Sequence, residues 1–299
     1  MPSPPPSRPL SARGRLSVPA EPEDVQSRRD DRPVPLAAAG VRGLRLPTRL
    51  LLGEQEVSTL GTYTLAVGLP PGRKGVHMSR LVACAQDWSR GFDPFRPDLL
   101  LRRLRETQPA PRAEFAIRCP YHREKRAPVS GVPGLLEYEL GVSGLHEEGR
   151  PERLVLELAV PVTTLCPCSR DISEHGAHNQ RAWTRLTFVL DPRGTPPPLD
   201  DLLGRIEAEG SCELYTVLKR TDEKYVTERA YARPKFSEDL ARDLALALDD
   251  LPGLELRSVD VENLESIHVH SAFARYESSS VPPTVVPPTV LPDGASTGS

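Results

Sequence analysis

The strongest constraint on the fold is an alternation: Leu154, Leu156, Leu158, Val160 and Val162 occupy every second position. Side chains two apart in an extended chain point to one face, so the run predicts a strand with that face buried. The same period appears earlier at Tyr63, Leu65, Val67 and Leu69, and again over Phe115–Cys119, Leu136–Val142 and Trp183–Leu190. Closing strands are predicted at Leu254–Val261 and Ile267–Tyr276. Three stretches carry a helical pattern instead: Asp98–Thr107, Leu199–Ala208, and one capped by Ser237 that runs to Leu251 before Pro252-Gly253 ends it. The resulting order is β, α, β, β, then β, β, α, α, β, β, an α+β chain.

Composition bounds what such a chain can be. Proline clusters at both ends, with a Pro/Ser/Arg-rich opening and a close reading SSSVPPTVVPPTVLPDGASTGS. Neither end carries enough apolar surface to offset its ordering entropy, so disordered tails are expected over residues 1–39 and 277–299. The folded part is then residues 40–276, dividing near Gly149 into residues 40–149 and 150–276. A formal net charge of -3 provides no broad basic field for nucleic acid or an anionic membrane, so an anionic ligand must meet a local basic cluster. No apolar run approaches the ~20 residues of a membrane helix, and the opening residues lack the apolar core of a secretory signal. A cytoplasmic protein is expected. Five cysteines, an odd number, argue against a disulfide framework.

The densest polar segment, Val162 to Arg181, lies between two of the clearest strands, and loops held at both ends by rigid structure are where sites gather. Cys166, Cys168, His175 and His178 supply soft and borderline metal donors. Yet Cys-x-Cys is not a zinc-ribbon knuckle, and on these residues alone thiols in a polar loop and a metal site stand level. His268 and His270 shift the balance. Two apart in an expected strand, they share a face, where one could bind an ion and the other move protons. Lys219 and Arg220, followed by Asp222-Glu223-Lys224, read either as a solvated hairpin end or as a phosphate grip. Glu238, in the first turn of a helix, either complements the helix dipole or accepts two hydrogen bonds from a guanine edge. Lys74-Gly75-Val76-His77-Met78-Ser79-Arg80 is a basic turn broken by glycine.

Taken together, LCPCSRDISEHGAHNQR (Leu165–Arg181), KGVHMSR (Lys74–Arg80), APVSG (Ala127–Gly131), LKRTDEKYVTERAY (Leu218–Tyr231), PKFSEDLARD (Pro234–Asp243) and ENLESIHVHSAFA (Glu262–Ala274) resemble the type IB GTP cyclohydrolases. DVQSRRDDR (Asp24–Arg32) resembles the family's usual opening, and the likeness runs from Asp24 to Tyr276. It implies the tunnelling fold (T-fold), two tandem modules of antiparallel sheet with helices on one face. It also implies a homotetramer whose sites lie at subunit interfaces, so that a neighbouring chain completes the site here.

The implied reaction converts GTP and water to 7,8-dihydroneopterin triphosphate and formate, the first step of tetrahydrofolate and pterin synthesis. By motif, Cys166, His178 and Glu223 would be ligands of a divalent metal, with His268 the fourth. Glu238 would anchor guanine, His270 would neighbour the metal as a candidate proton carrier, and Lys219, Arg220 and Arg80 would hold the triphosphate. A thiolate favours zinc, whereas carboxylate and imidazole also suit manganese or iron(II). Two rivals share the fold: a nitrile reductase that acts on a deazapurine through a nucleophilic Cys and NADPH, and a non-catalytic metal- or purine-binding protein.

Overall fold

A computed structural model describes Gln26 and residues 29–279; the greater part of both expected tails lies outside the described residues. Among the described residues the chain forms nine strands in one sheet and six helices, an α+β architecture in which every paired strand is antiparallel to its neighbour. In chain order these are β1 (Leu36–Leu52), β2 (Gln55–Leu69), α1 (Met78–Ser89), α2 (Pro97–Thr107), β3 (Arg112–Arg126), β4 (Pro133–Glu147) and β5 (Arg153–Leu165). There follow α3 (Pro167–Ile172), β6 (Asn179–Leu190), α4 (Leu199–Ala208), β7 (Cys212–Glu213), α5 (Arg220–Ala232), α6 (Ser237–Ala247), β8 (Leu254–Asn263) and β9 (Ala272–Glu277). The sheet runs β1-β2-β3-β4-β5-β6-β8-β9, with the short β7 paired to β5.

Register explains the division into faces. Tyr63, Ile117, Val142, Leu156, Phe188 and Leu256 stand opposite one another in a row across six strands. All six are buried in one core cluster with Leu81 and Trp88 of α1, Leu101 and Leu104 of α2, Leu202 and Ile206 of α4, and Leu240 and Leu244 of α6. The helices therefore cover that face. One residue along, the row reads Thr62, Arg118, Gly141, Glu157, Thr187, Ser258, all on the other face. There charge replaces hydrocarbon: Arg118 meets Glu157 at 3.5 Å, Arg185 meets Glu262 at 3.0 Å, and Arg275 meets Asp260 at 2.6 Å. Burial pushes the Glu157 carboxyl above its ordinary value and Arg118 opposes the shift. Gly141 leaves room for this carboxylate, since a Cβ there would lie 2.9 Å from Glu157 Oε2.

Several expectations are corrected. β1 begins at Leu36, inside the expected N-terminal tail, and α1 fills a stretch for which no helix was expected. The charged run after Lys219, read as a possible hairpin end, is the start of α5. The last strand starts at Ala272, not Ile267. Helix α6 stops at Ala247 rather than Leu251, and Ser237 is its first residue, not its cap. The start is fixed differently: the Phe236 N–H donates to Asp239 Oδ2 at 3.0 Å, a side chain three residues on reaching back to an orphan donor.

Candidate functional site

Strands β5 and β6 stay paired out to Leu165↔Asn179, so residues 166–178 bridge two locked strand ends. The Cys166 N–H donates to the His178 carbonyl at 3.1 Å and closes the loop at its neck. Inside, Cys166 caps α3: its Sγ accepts from the Ser169 N–H at 3.5 Å. The Ser169 hydroxyl donates to the Cys166 carbonyl at 3.1 Å and accepts the His178 N–H at 3.2 Å. Cys166 and His178 are thus held side by side, both half-buried, at one end of the sheet.

The His178 ring is fixed as well. Its Nδ1 lies 3.0 Å from Gln180 Oε1, and the Gln180 amide nitrogen reaches Thr164 Oγ1 at 3.1 Å and Glu265 Oε1 at 3.4 Å. Thr164 and Gln180 are buried cross-strand partners. Glu265 arrives from the segment after β8, whose Leu264 N–H donates to the Arg181 carbonyl at 2.9 Å. These contacts pull residues 264–271 out of the β8–β9 ladder into turns, which is why His268 and His270 do not sit in a strand. The two imidazoles nevertheless stack, with ring centroids 5.1 Å apart and planes 18° apart, on a fully open segment with Ile267 and Val269 also exposed.

Two helices bring the remaining residues near. The Lys235 N–H donates to the Leu165 carbonyl at 3.0 Å, so α6 starts beside Cys166 and places Glu238 in its first turn, exposed, with the Ser237 hydroxyl on Glu238 Oε2 at 3.0 Å. Helix α5 docks by its far end: Ala230 and Val226 pack with Leu165, Cys212 and Ala177, and Arg170 lies 4.8 Å over the Tyr231 ring. At ~1.5 Å per residue, Glu223 stands about 10 Å up the helix from Ala230. Lys219 and Arg220 are further along still, exposed at its start. Arg80 is exposed on α1, which packs on β1, β2 and α2 in the first half of the chain.

The start of α5 is held by Asp222, a fully buried carboxylate. It accepts from the N–H groups of Val129, Ser130 and Lys219 at 2.8 Å each and from the Ser130 hydroxyl at 2.6 Å. This accounts physically for the APVSG segment: its turn between β3 and β4 is a cradle of donors for Asp222, and the clamp sets where Lys219, Arg220 and Glu223 project. Burial alone would raise the Asp222 pKa; the hydroxyl and N–H donors from Ser130, Lys219 and Val129 outweigh it and hold the group well below the usual carboxylate range. A depressed folded pKa adds stability that is present above the unfolded value of about 3.9 and is lost as pH falls toward the folded one. Asp222→Ala is therefore expected to lower the Tm at pH 7. The gap to wild type should narrow progressively below about pH 4. A gap that stays constant from pH 7 to pH 3 would contradict the clamp's electrostatic origin.

What the residues can hold follows from chemistry. Cys84, Cys119 and Cys212 are buried, and burial pushes their thiols up to about 11, 12 and 11, so they stay protonated and inert. Cys166 and Cys168 are the accessible pair. A thiol and an imidazole with its Nδ1 engaged fit two positions around a borderline-soft divalent ion. Among the described residues, no three His, Cys, Asp or Glu side chains converge closely enough to hold an ion. Within one chain, then, Cys166 and His178 meet, and Glu223 and His268 do not complete a cluster with them. Gln180, Glu265 and Asp222 had no role in the sequence reading. The one signal for Gln180 was a polar residue in the core-facing row that continues as Ala182, Thr184, Leu186 and Phe188.

The family model described as type I GTP cyclohydrolase folE2 matches residues 23–274. A GTP cyclohydrolase FolE2 of Ralstonia nicotianae is 43% identical over 254 residues, covering 85% of this chain and 93% of the relative. Its namesake from Bordetella pertussis is 45% identical over 258 residues, covering 85% and 95%. That of Paraburkholderia phymatum is 44% identical over 256 residues, covering 85% and 94%.

Proposed function

Because the chain belongs to the type I GTP cyclohydrolase folE2 family, we propose that it hydrolyses GTP to 7,8-dihydroneopterin triphosphate and formate, feeding folate synthesis. The observation that carries this reading is the Cys166–His178 neck, built into a family match that spans nearly all of the folded chain. No helix among the described residues is long and apolar enough to cross a membrane. We place the enzyme in the cytoplasm and assign it to the type IB class with the tunnelling fold. The single-faced helical cover of the antiparallel sheet supports that fold.

The active form is a homotetramer with sites shared between chains. Three features favour this. Among the described residues the sheet ends in β1, bridged on its outer side at Leu50–Phe92, and in β9. Leu264, Ile267, Val269 and Phe273 leave apolar surface exposed around the two histidines, and such surface at a sheet edge is normally covered. Among the described residues, no third His, Cys, Asp or Glu side chain joins Cys166 and His178 closely enough to hold an ion. Glu223 and His268 complete the set in the assembled enzyme, around zinc, manganese or iron(II).

In the mechanism, Glu238 accepts hydrogen bonds from guanine N1–H and N2–H and turns C8 toward Cys166 and His178. Lys219 and Arg220, with Arg80, neutralise the triphosphate. A divalent ion, when bound, supplies Lewis acidity that polarises C8 and brings a water into ionisation range near neutral pH. Water adds at C8, and His268 or His270 delivers a proton to the departing ring nitrogen as the C8–N9 bond breaks. A second hydrolysis frees formate; ribose opening, Amadori rearrangement and reclosure return one water and give the pterin. The direct assay is formate release from GTP together with fluorescence of the oxidised pterin. NADPH consumption with a deazaguanine nitrile, and none of these products, would replace this reading with the reductase.

A further inference from the structure

The environment of Gln180 decides which end of its amide faces His178. Gln180 and Thr164 are both buried, directly opposite each other in the β5–β6 ladder. One amide end faces Thr164 Oγ1 at 3.1 Å and Glu265 Oε1 at 3.4 Å; the other faces His178 Nδ1 at 3.0 Å. Both of those contacts are made by the amide nitrogen, so that end is the NH2 group, whose two N–H bonds serve Glu265 and Thr164. The end toward His178 is then a carbonyl oxygen, which only accepts. His178 Nδ1 must donate. The second Glu265 oxygen is 3.9 Å from the same Nδ1, beyond hydrogen-bond range, so the amide is the group that decides. The backbone cannot slip to another arrangement, because the His178 N–H and carbonyl are both engaged by the Cys166 turn.

We infer that Gln180, oriented by Glu265 and Thr164, is a positioning residue that holds His178 in the tautomer protonated at Nδ1, leaving the Nε2 lone pair free to bind the metal. This rests on His178 being a ligand. A second sphere that fixes a ligand imidazole's tautomer preorganises it, and losing such a partner typically weakens metal affinity by about 10–100-fold. Without the amide carbonyl, the neutral ring partitions between both tautomers, and a fraction of the protein presents a protonated nitrogen where a lone pair is required.

The test uses the purified full chain stripped of metal, with zinc alone as probe and histidine 15N-labelled. In wild type, His178 should show a protonated-type Nδ1 and a lone-pair-type Nε2, and chelator competition gives the zinc affinity. Gln180→Met, similar in length but without the amide, should give averaged nitrogen signals and zinc binding about 10–100-fold weaker. Gln180→Glu retains an acceptor for Nδ1–H, so it should keep the wild-type tautomer even where the new charge beside Glu265 disturbs the neighbourhood. Thr164→Val should move both readouts in the direction of Gln180→Met, by less. A Gln180→Met protein that keeps both the wild-type tautomer and the wild-type zinc affinity overturns the inference. Zinc affinity unchanged in His178→Ala would instead overturn the ligand assignment beneath it, and the two failures are read from different proteins.

Discussion

Cys166→Ala is expected to lose its metal and its turnover together. The thiol is the softest donor in the neck between β5 and β6, and no other accessible thiol than Cys168 lies in that loop. Metal affinity should fall by more than the 10–100-fold typical of a second-sphere loss, and formate release should drop below detection with it. Cys166 also caps α3 through its contact with the Ser169 N–H, so alanine removes a weak sulfur cap as well as a ligand. Cys166→Ser separates the two effects. A serine hydroxyl is a strong cap and a poor substitute for a thiolate, so this variant should fold with the loop intact and still lack metal and activity. Full metal content with full turnover in either protein would remove Cys166 from the site.

Glu238→Ala should leave metal content unchanged and raise the KM for GTP by at least about 10²-fold, since two charge-assisted hydrogen bonds of ~1.5–3 kcal/mol each would be lost. The placement supports the size of the effect. Glu238 is exposed in the first turn of α6, and the Lys235–Leu165 hydrogen bond fixes that turn beside Cys166, so its carboxylate, which takes one hydrogen bond from the Ser237 hydroxyl, keeps acceptor capacity for an incoming base. Inosine triphosphate, which lacks the guanine amino group, provides an internal control. Wild type should discriminate strongly against it, and Glu238→Ala should lose most of that discrimination. An unchanged KM, or discrimination that survives the substitution, would mean that another group reads the base.

How far such features are legible in a sequence depends on the physical signal each one leaves. The alternation from Leu154 to Val162 locates β5 because a strand in the middle of a sheet, with one face under helices, must show period two. Strand β1 escapes notice because it lies at the sheet edge, where Pro47 and several arginines are tolerated and the apolar alternation is diluted. The apolar stripe of α1 has the correct spacing, but Cys84 and Ala85 make up half of it. Helix α5 buries only Asp222 and Ala230, so its charged surface reads as a loop.

The same holds for the site. Cys166 and His178 stand out as unusual residues between two strong strands, and the ladder brings them together. Gln180, Glu265 and Asp222 depend on register between strands and on loops reaching back across them, which residue spacing does not encode. The strand expected from Ile267 fails for a related reason: local alternation favours it, and the tertiary contacts of Leu264 and Glu265 with β6 override it.

The most direct test is GTP turnover by the metal-stripped protein, with zinc, manganese or iron(II) added back singly and formate and oxidised pterin followed together. Metal-dependent appearance of both products in equal amounts is the expected result, and the relative rates would rank the three ions. A folded, metal-loaded protein that releases neither product from GTP with any of them would contradict the cyclohydrolase assignment.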